Sequence, residues 1–277
     1  MTLPRLATLP AQIKRGKRMA FAKLGEVELF YTDEGAGEPA MLFVHGYSCD
    51  SHDWMHQLAH FTQSHRVIAA DLRGHGRSSA PPAGYDAQTL ALDLAALIEH
   101  LGCGPVVAVG HSMGGGVVTA LAAERPDLVV ATVCVDPSYL IEDDAWDRVR
   151  LALPALKANP VETATAVLGG VYSPTTPPHL KAWHLRRLAG APGHVLYEAM
   201  ARGDTMSPRS AAEPWLRRRK CPVLSIYARD DRLALERTFF TDSRSQALAW
   251  PGLGHWLHQE RPAEFNALVD DWLAKIA

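Results

Sequence analysis

The chain has 277 residues, 47% of them hydrophobic and 21% charged, with a formal net charge of −2. That length supplies enough core without a disulfide or metal staple, and the balance is that of a globular protein. A near-neutral charge gives no reason to expect a nucleic-acid groove or an anionic-membrane surface, so both partner classes drop out. No apolar run approaches the roughly 18 residues of a membrane span.

The start, Met1 to Met19, carries Arg5, Lys14, Arg15, Lys17 and Arg18 and no acid before Glu26. It lacks the apolar stretch of a secretory signal, so export is not expected. An organellar transit segment shares such a composition; a loosely ordered arm over 1–19 is the simpler reading. Cys49, Cys103, Cys134 and Cys221 form no C-x-x-C pair and read as reduced thiols of a cytoplasmic protein.

Phe21 to Asp33 reads as a hairpin turning at Gly25, with Val27, Leu29 and Tyr31 alternating. Short continuous apolar runs then recur at Met41–Val44, Val67–Ala70, Val106–Val109, Ala131–Val135 and Val223–Tyr227. Each is a strand buried on both faces, and each stops at a polar or glycine-rich stretch. Between them lie helical patterns. Ala87, Leu90, Ala91, Leu94, Leu97, Ile98 and Leu101 recur at three- and four-residue steps, with Gly102 as a stop. Phe265, Leu268, Val269, Trp272, Leu273 and Ile276 mark a last helix opening at Pro262. The alternation predicts an α/β fold: a mostly parallel sheet with helices on both faces and its chemistry outside the carboxyl ends of the strands.

Pro137 to about Pro214 breaks that alternation and reads as a helical insertion over the carboxyl edge of the sheet. The core is then 20–136 with 215–277, and the insertion is 137–214. Arg217-Arg218-Arg219-Lys220 reads as a solvated connection.

Gly110-His111-Ser112-Met113-Gly114 has the G-x-S-x-G form between an apolar strand and the helical run Val117 to Ala123. Small residues around a sharp strand-to-helix turn allow close backbone approach, and the helix N-terminus aims free N–H groups at Ser112. Ser112 is the expected nucleophile. Its base is expected at His255, in a glycine-rich loop between the short strand Gln246–Trp250 and the final helix. His45, His75 and His111 border strand ends and read as hydrogen-bonded scaffolding. His52, His56 and His60 share a helix face, but with no nearby acid or cysteine at ligand spacing they read as partly exposed, and no metal is expected.

The chain resembles the α/β-hydrolase fold superfamily, in its serine-hydrolase branch related to epoxide hydrolases and haloalkane dehalogenases. The likeness runs from about residue 20 and rests on four segments. They are His45-Gly46-Tyr47 with Trp54; Asp71-Leu72-Arg73-Gly74-His75-Gly76-Arg77-Ser78; Gly110 to Gly115; and Gly254-His255 with Glu260-Arg261-Pro262. The resemblance implies Ser112 as nucleophile, His255 as base, an oxyanion hole from the N–H groups of Tyr47 and Met113, and 137–214 as a mobile helical cap. A serine at 112 where those relatives carry aspartate argues against their own chemistry.

For the third member the resemblance offers two positions. Asp231 fits the common register after the strand that follows the cap, though Ala228 replaces the usual glycine. Asp136 fits a second register, at the end of the strand after the nucleophile helix. Either could hold the imidazole tautomer, with Asp231 narrowly favoured.

The expected activity is hydrolysis of a small-molecule carboxylic ester or lactone through an acyl-enzyme, without metal or organic cofactor. Tyr139, Trp146, Tyr172, Trp183, Met200 and Met206 suggest an apolar pocket for an uncharged, mid-sized substrate. A perhydrolase, a carbon–carbon bond hydrolase, a hydroxynitrile-lyase-like enzyme or a slow-turnover ligand receptor would use the same scaffold.

Overall fold

A computed structural model of the chain describes residues 18–277. The expected arm therefore lies outside the described residues, except that Arg18 and Met19 already open the first strand. Among the described residues, eight strands form one sheet: β1 (Arg18–Leu24), β2 (Val27–Gly35), β3 (Ala40–Val44), β4 (Arg66–Ala70), β5 (Val106–His111), β6 (Val129–Val135), β7 (Val223–Tyr227) and β8 (Gln246–Ala249). Their spatial order is β1-β2-β4-β3-β5-β6-β7-β8. β2 runs antiparallel to both neighbours, and β4 to β8 form a continuous parallel sheet.

The continuous apolar runs follow from a sheet covered twice. In β3, Leu42 and Val44 face one core cluster while Met41 and Phe43 face the other. The first cluster takes Leu90 and Leu94 from α2 (Ala87–Leu101) and Val117 and Leu121 from α3 (Met113–Glu124). The second takes Phe61, which ends α1 (Met55–Phe61), and Phe265, Val269 and Trp272 from α12 (Pro262–Ile276). With successive side chains on opposite faces, every position of β3 meets a core and is apolar. Helix α2 begins where the Asp86 side chain accepts the Thr89 N–H, and it ends at Gly102 with φ +55°. The expected stop is a left-handed C-cap, which glycine adopts without a Cβ clash.

Between β6 and β7 lie six α-helices and one 3₁₀ turn (Arg202–Thr205): α4 (Asp143–Arg150), α5 (Leu153–Ala158), α6 (Pro160–Gly169), α7 (Pro178–Gly190), α8 (Gly193–Ala201) and α9 (Arg209–Arg218). Position 214 falls inside α9, and this helix packs on α3 with Ala212 and Leu216 in the first core cluster. Short helices α10 (Leu233–Arg237) and α11 (Leu257–Glu260) complete the chain.

Arg219 departs from the expected solvated connection. It is 1% exposed, and its Nη2 lies 2.8 Å from Oε1 of the fully buried Glu236. Tyr139, Ser225 and Tyr227 each donate a hydroxyl to the same carboxylate. Arg219 has no partner in its own stretch of chain, because α10 carries Glu236 back to it from beyond β7.

Candidate active site

Ser112 is the single residue between β5 and α3, with φ +53° and ψ −117°. A left-handed serine is strained, and neighbouring contacts hold it there. Its N–H donates to Val135 O at 2.9 Å, and its carbonyl accepts the N–H of Gly115 at 2.9 Å and of Ser138 at 3.1 Å. The flanking glycines are steric requirements. A Cβ at Gly110 would meet Gly114 O at 2.2 Å, and one at Gly114 would meet Val44 O at 2.4 Å and His45 O at 2.6 Å.

His255 sits on the loop after β8, with its N–H donating to Val171 O at 3.1 Å. Its carbonyl accepts from His111 Nε2 at 3.0 Å. His111 is buried, and burial with the neighbouring His255 and His258 holds its imidazole well below the ordinary range. His111 is thus a neutral prop. His45 ties two loops together: its Nδ1 donates to Gly46 O and its Nε2 accepts the Leu72 N–H. His75 donates to Arg73 O.

The carboxylate beside His255 is that of Asp136. Its Oδ2 is 2.5 Å from His255 Nδ1, while Oδ1 accepts the Ala228 N–H at 3.0 Å. Arg232 Nη2 stands 3.6 Å from the same Oδ1, and its Nη1 donates to Pro137 O and Tyr139 O. Burial alone would raise the Asp136 carboxyl. The His255 hydrogen bond and charge, Arg232 and the Ala228 N–H outweigh burial and hold it below the usual carboxylate range. Asp231, the acid narrowly favoured from register, has a 54% exposed side chain, 3.8 Å from Arg229 and 3.9 Å from Arg232. The narrow preference is corrected: the strand end of β6, not the turn after β7, faces the imidazole.

Ser112, His255 and Asp136 line one cavity of about 520 Å³, together with Tyr47 and Met113. Met113 is the first residue of α3, so its N–H has no acceptor within the helix. A Cβ at Gly46 would stand 3.1 Å from Ser112 Cβ, which puts the Gly46–Tyr47 peptide against the serine. The remaining wall is mostly apolar and includes Leu140, Ile141, Trp146, Val149, Leu168 and Met200.

Of the six side chains expected in the pocket, Trp146 and Met200 are in that wall. The other four are not. Tyr139 is fully buried on Glu236, and Met206 is buried against Gly116. Tyr172 stacks on Trp256 and His184, and Trp183 is 40% exposed near His52 and Arg187. Aromatic side chains at helical spacing found core and surface partners as readily as a cavity.

His52, His56 and His60 are partly exposed, as expected, but do not share one helix. His52 lies in a short 3₁₀ turn ahead of α1, and His60 Nε2 is 2.6 Å from Asp270 of α12, an acid 210 residues away. Among the described residues, Asp53, His111 and His258 bring ligand atoms within 4.8 Å of one another. Arg187 already pairs with the buried Asp53 carboxylate. A divalent cation there would add charge to a neutralised, desolvated pair, so the donor set does not suit one.

The alpha/beta hydrolase family model matches residues 41–268. The chain belongs to this family. Lipase LipV of Mycobacterium tuberculosis is 34% identical over 264 residues, spanning 88% of this chain and 97% of that protein. The 2-(acetamidomethylene)succinate hydrolase of Mesorhizobium japonicum is 30% identical over 251 residues, 86% and 89% of the two chains. A solved thermophilic esterase from Thermogutta terrifontis superposes with a TM-score of 0.79 at 26% identity, covering 94% of this chain and 98% of that one. The protein is an alpha/beta hydrolase with lipase and esterase relatives. Among the described residues, no helix is long and apolar enough to cross a membrane.

Proposed function

We propose that the protein hydrolyses an uncharged, mid-sized carboxylic ester or lactone through an acyl-enzyme. The observation that carries this reading is the Asp136–His255 pair, set in the cavity that Ser112 also lines. Asp136 keeps the His255 Nδ1 proton in place, leaving Nε2 as the base. His255 takes the Ser112 proton as Oγ attacks the substrate carbonyl. The N–H groups of Tyr47 and Met113 stabilise the oxyanion, each worth roughly 3–4 kcal/mol in comparable sites. The imidazolium then protonates the leaving alcohol, and the neutral ring activates a water that releases the acid. These steps need no metal or organic cofactor.

The apolar wall around Trp146 and Met200 supports an apolar acyl or alcohol group, and lipase and esterase relatives fit that chemistry. Helices α4 to α8, within the expected 137–214 insertion, act as the cap that selects it. The four free cysteines, two of them buried, fit a reducing compartment such as the cytoplasm.

A fluorophosphonate probe and a panel of p-nitrophenyl esters test the reading. The wild type should label at Ser112 and turn over esters, with EDTA having no effect. Ser112→Ala should lose labelling and at least about 10³ in kcat while remaining folded. Near-normal turnover by Ser112→Ala, or loss with EDTA, would sink the covalent serine mechanism.

A further inference from the structure

The backbone that carries the Tyr47 N–H is fastened on two sides. On the sheet side, Ser51 N donates to Asp71 Oδ1 at 2.7 Å, and the His45 ring bridges Leu72 N and Gly46 O. On the other side the partners come from the helices between β6 and β7. The Tyr47 hydroxyl donates to Leu196 O of α8 at 2.8 Å. Arg187 of α7 reaches Asp50 Oδ1 at 3.0 Å and pairs with Asp53, its own side chain only 9% exposed. Asp50 also accepts the His52 N–H, capping the turn Ser51–Trp54. Both ends of the Tyr47–Asp53 stretch are thus anchored to α7 and α8.

We propose that Arg187 and the Tyr47 hydroxyl are positioning residues, which use α7 and α8 to hold the Tyr47 N–H where the reacting carbonyl oxygen gains negative charge. The inference rests on the serine reading above, and extends it: these helices contribute to turnover as well as to selectivity. The physics favours a rigid hold. A buried guanidinium shared by two carboxylates resists displacement, because separating them leaves uncompensated charge. An oxyanion donor in turn acts fully only within about 2.7–3.1 Å of the developing charge. If Arg187 merely fastened the helices, its loss would appear in KM or in thermal stability and leave the chemical step alone.

The test compares wild type, Tyr47→Phe, Arg187→Met and Arg187→Lys in the full chain. Tyr47→Phe keeps the ring and the N–H and removes one hydroxyl, so it guards against a folding failure of Arg187→Met. The readouts are kcat and KM for p-nitrophenyl butyrate, melting temperature, and inhibition by an alkyl trifluoromethyl ketone. That ketone accepts Ser112 Oγ at its carbonyl carbon: a C–O bond forms, the carbonyl π pair becomes the oxyanion, and the serine proton moves to His255. Tyr47→Phe and Arg187→Met should each lower kcat by about 10- to 100-fold with KM within about 3-fold, and ketone affinity should fall in parallel. Arg187→Lys should recover part of both. Unchanged kcat and ketone affinity, with any loss confined to KM or melting temperature, would overturn the positioning role. A wild type that neither labels at Ser112 nor binds the ketone would instead overturn the serine reading, and the inference with it.

Discussion

Asp136 Oδ2 and His255 Nδ1 lie 2.5 Å apart although 119 residues separate them in the chain. The pair is made by two strand ends: Asp136 follows β6 directly, and His255 is carried on the loop beyond β8. Asp136 is itself fixed, with φ +40° and its N–H donating to Ile226 O at 2.6 Å. The imidazole therefore meets a carboxylate whose backbone and second oxygen are both held by β7 and its exit.

The two candidate acids should separate sharply. Asp136→Asn preserves shape while favouring the wrong tautomer, a change worth about 10⁴ in the serine-protease template. Asp231→Asn should stay within about 3-fold of wild type, its side chain being half exposed beside two arginines. Steady-state kcat for both variants checks this, and a larger loss at Asp231 would reverse the assignment.

Stability should fall on acidification from about pH 6.5, earlier than carboxylates alone would cause. Burial pushes His75 and His258 down to about 3 and His184 to about 4. The unfolded chain protonates these rings near their ordinary 6.5 while the folded chain does not. Between those values the unfolded state binds more protons, so stability drops as pH falls. Asp136 adds a later loss: its lowered carboxyl favours the fold above the ordinary range and loses that contribution as pH falls through the folded value. Melting temperatures taken from about pH 7 to about pH 4 should decline steadily, with a shallower slope for His258→Gln. A flat profile over that span would contradict it.

Gly114→Ala should damage the turn that carries Ser112. The new methyl would meet two backbone carbonyl oxygens, Val44 O at 2.4 Å and His45 O at 2.6 Å, neither of which can rotate away. A stability loss of about 1–3 kcal/mol or more is expected, together with loss of serine labelling. Denaturant unfolding and probe labelling measured on one sample would show whether both occur.

The Arg219–Glu236 pair, neither member of which lines the cavity, offers a control. Glu236→Gln should cost about 3–5 kcal/mol, because it leaves a buried guanidinium without its counter-charge. Arg219→Met combined with Glu236→Gln should recover part of that loss. A single variant as stable as wild type would mean that the pair is hydrated in solution.

Trp146→Leu should alter selectivity. The indole is 6% exposed, lines the cavity and abuts Gly203, where a Cβ would meet it at 2.7 Å. Removing ring volume should raise kcat/KM for longer acyl p-nitrophenyl esters relative to the butyrate, by about 10-fold for each well-accommodated methylene. An unchanged chain-length profile would place the acyl group elsewhere.

Much of the architecture was legible in the chain itself, since burial on both faces leaves a direct mark. Met41–Val44 is a continuous apolar run because both faces of a doubly covered strand meet apolar neighbours. Gly102 stopping α2 and the glycines around Ser112 are equally local: each follows from a backbone geometry or approach that a Cβ would block. Periodicity, however, reports that a residue is buried and not what buries it. The choice of Asp136 over Asp231, the capture of Arg219 by Glu236, and the pairing of His60 with Asp270 join distant elements. Tyr139, Tyr172, Trp183 and Met206 left the expected pocket for the same reason. Strand order and helix packing decide which of several chemically equivalent side chains arrive at one place, and those are properties of the assembled chain.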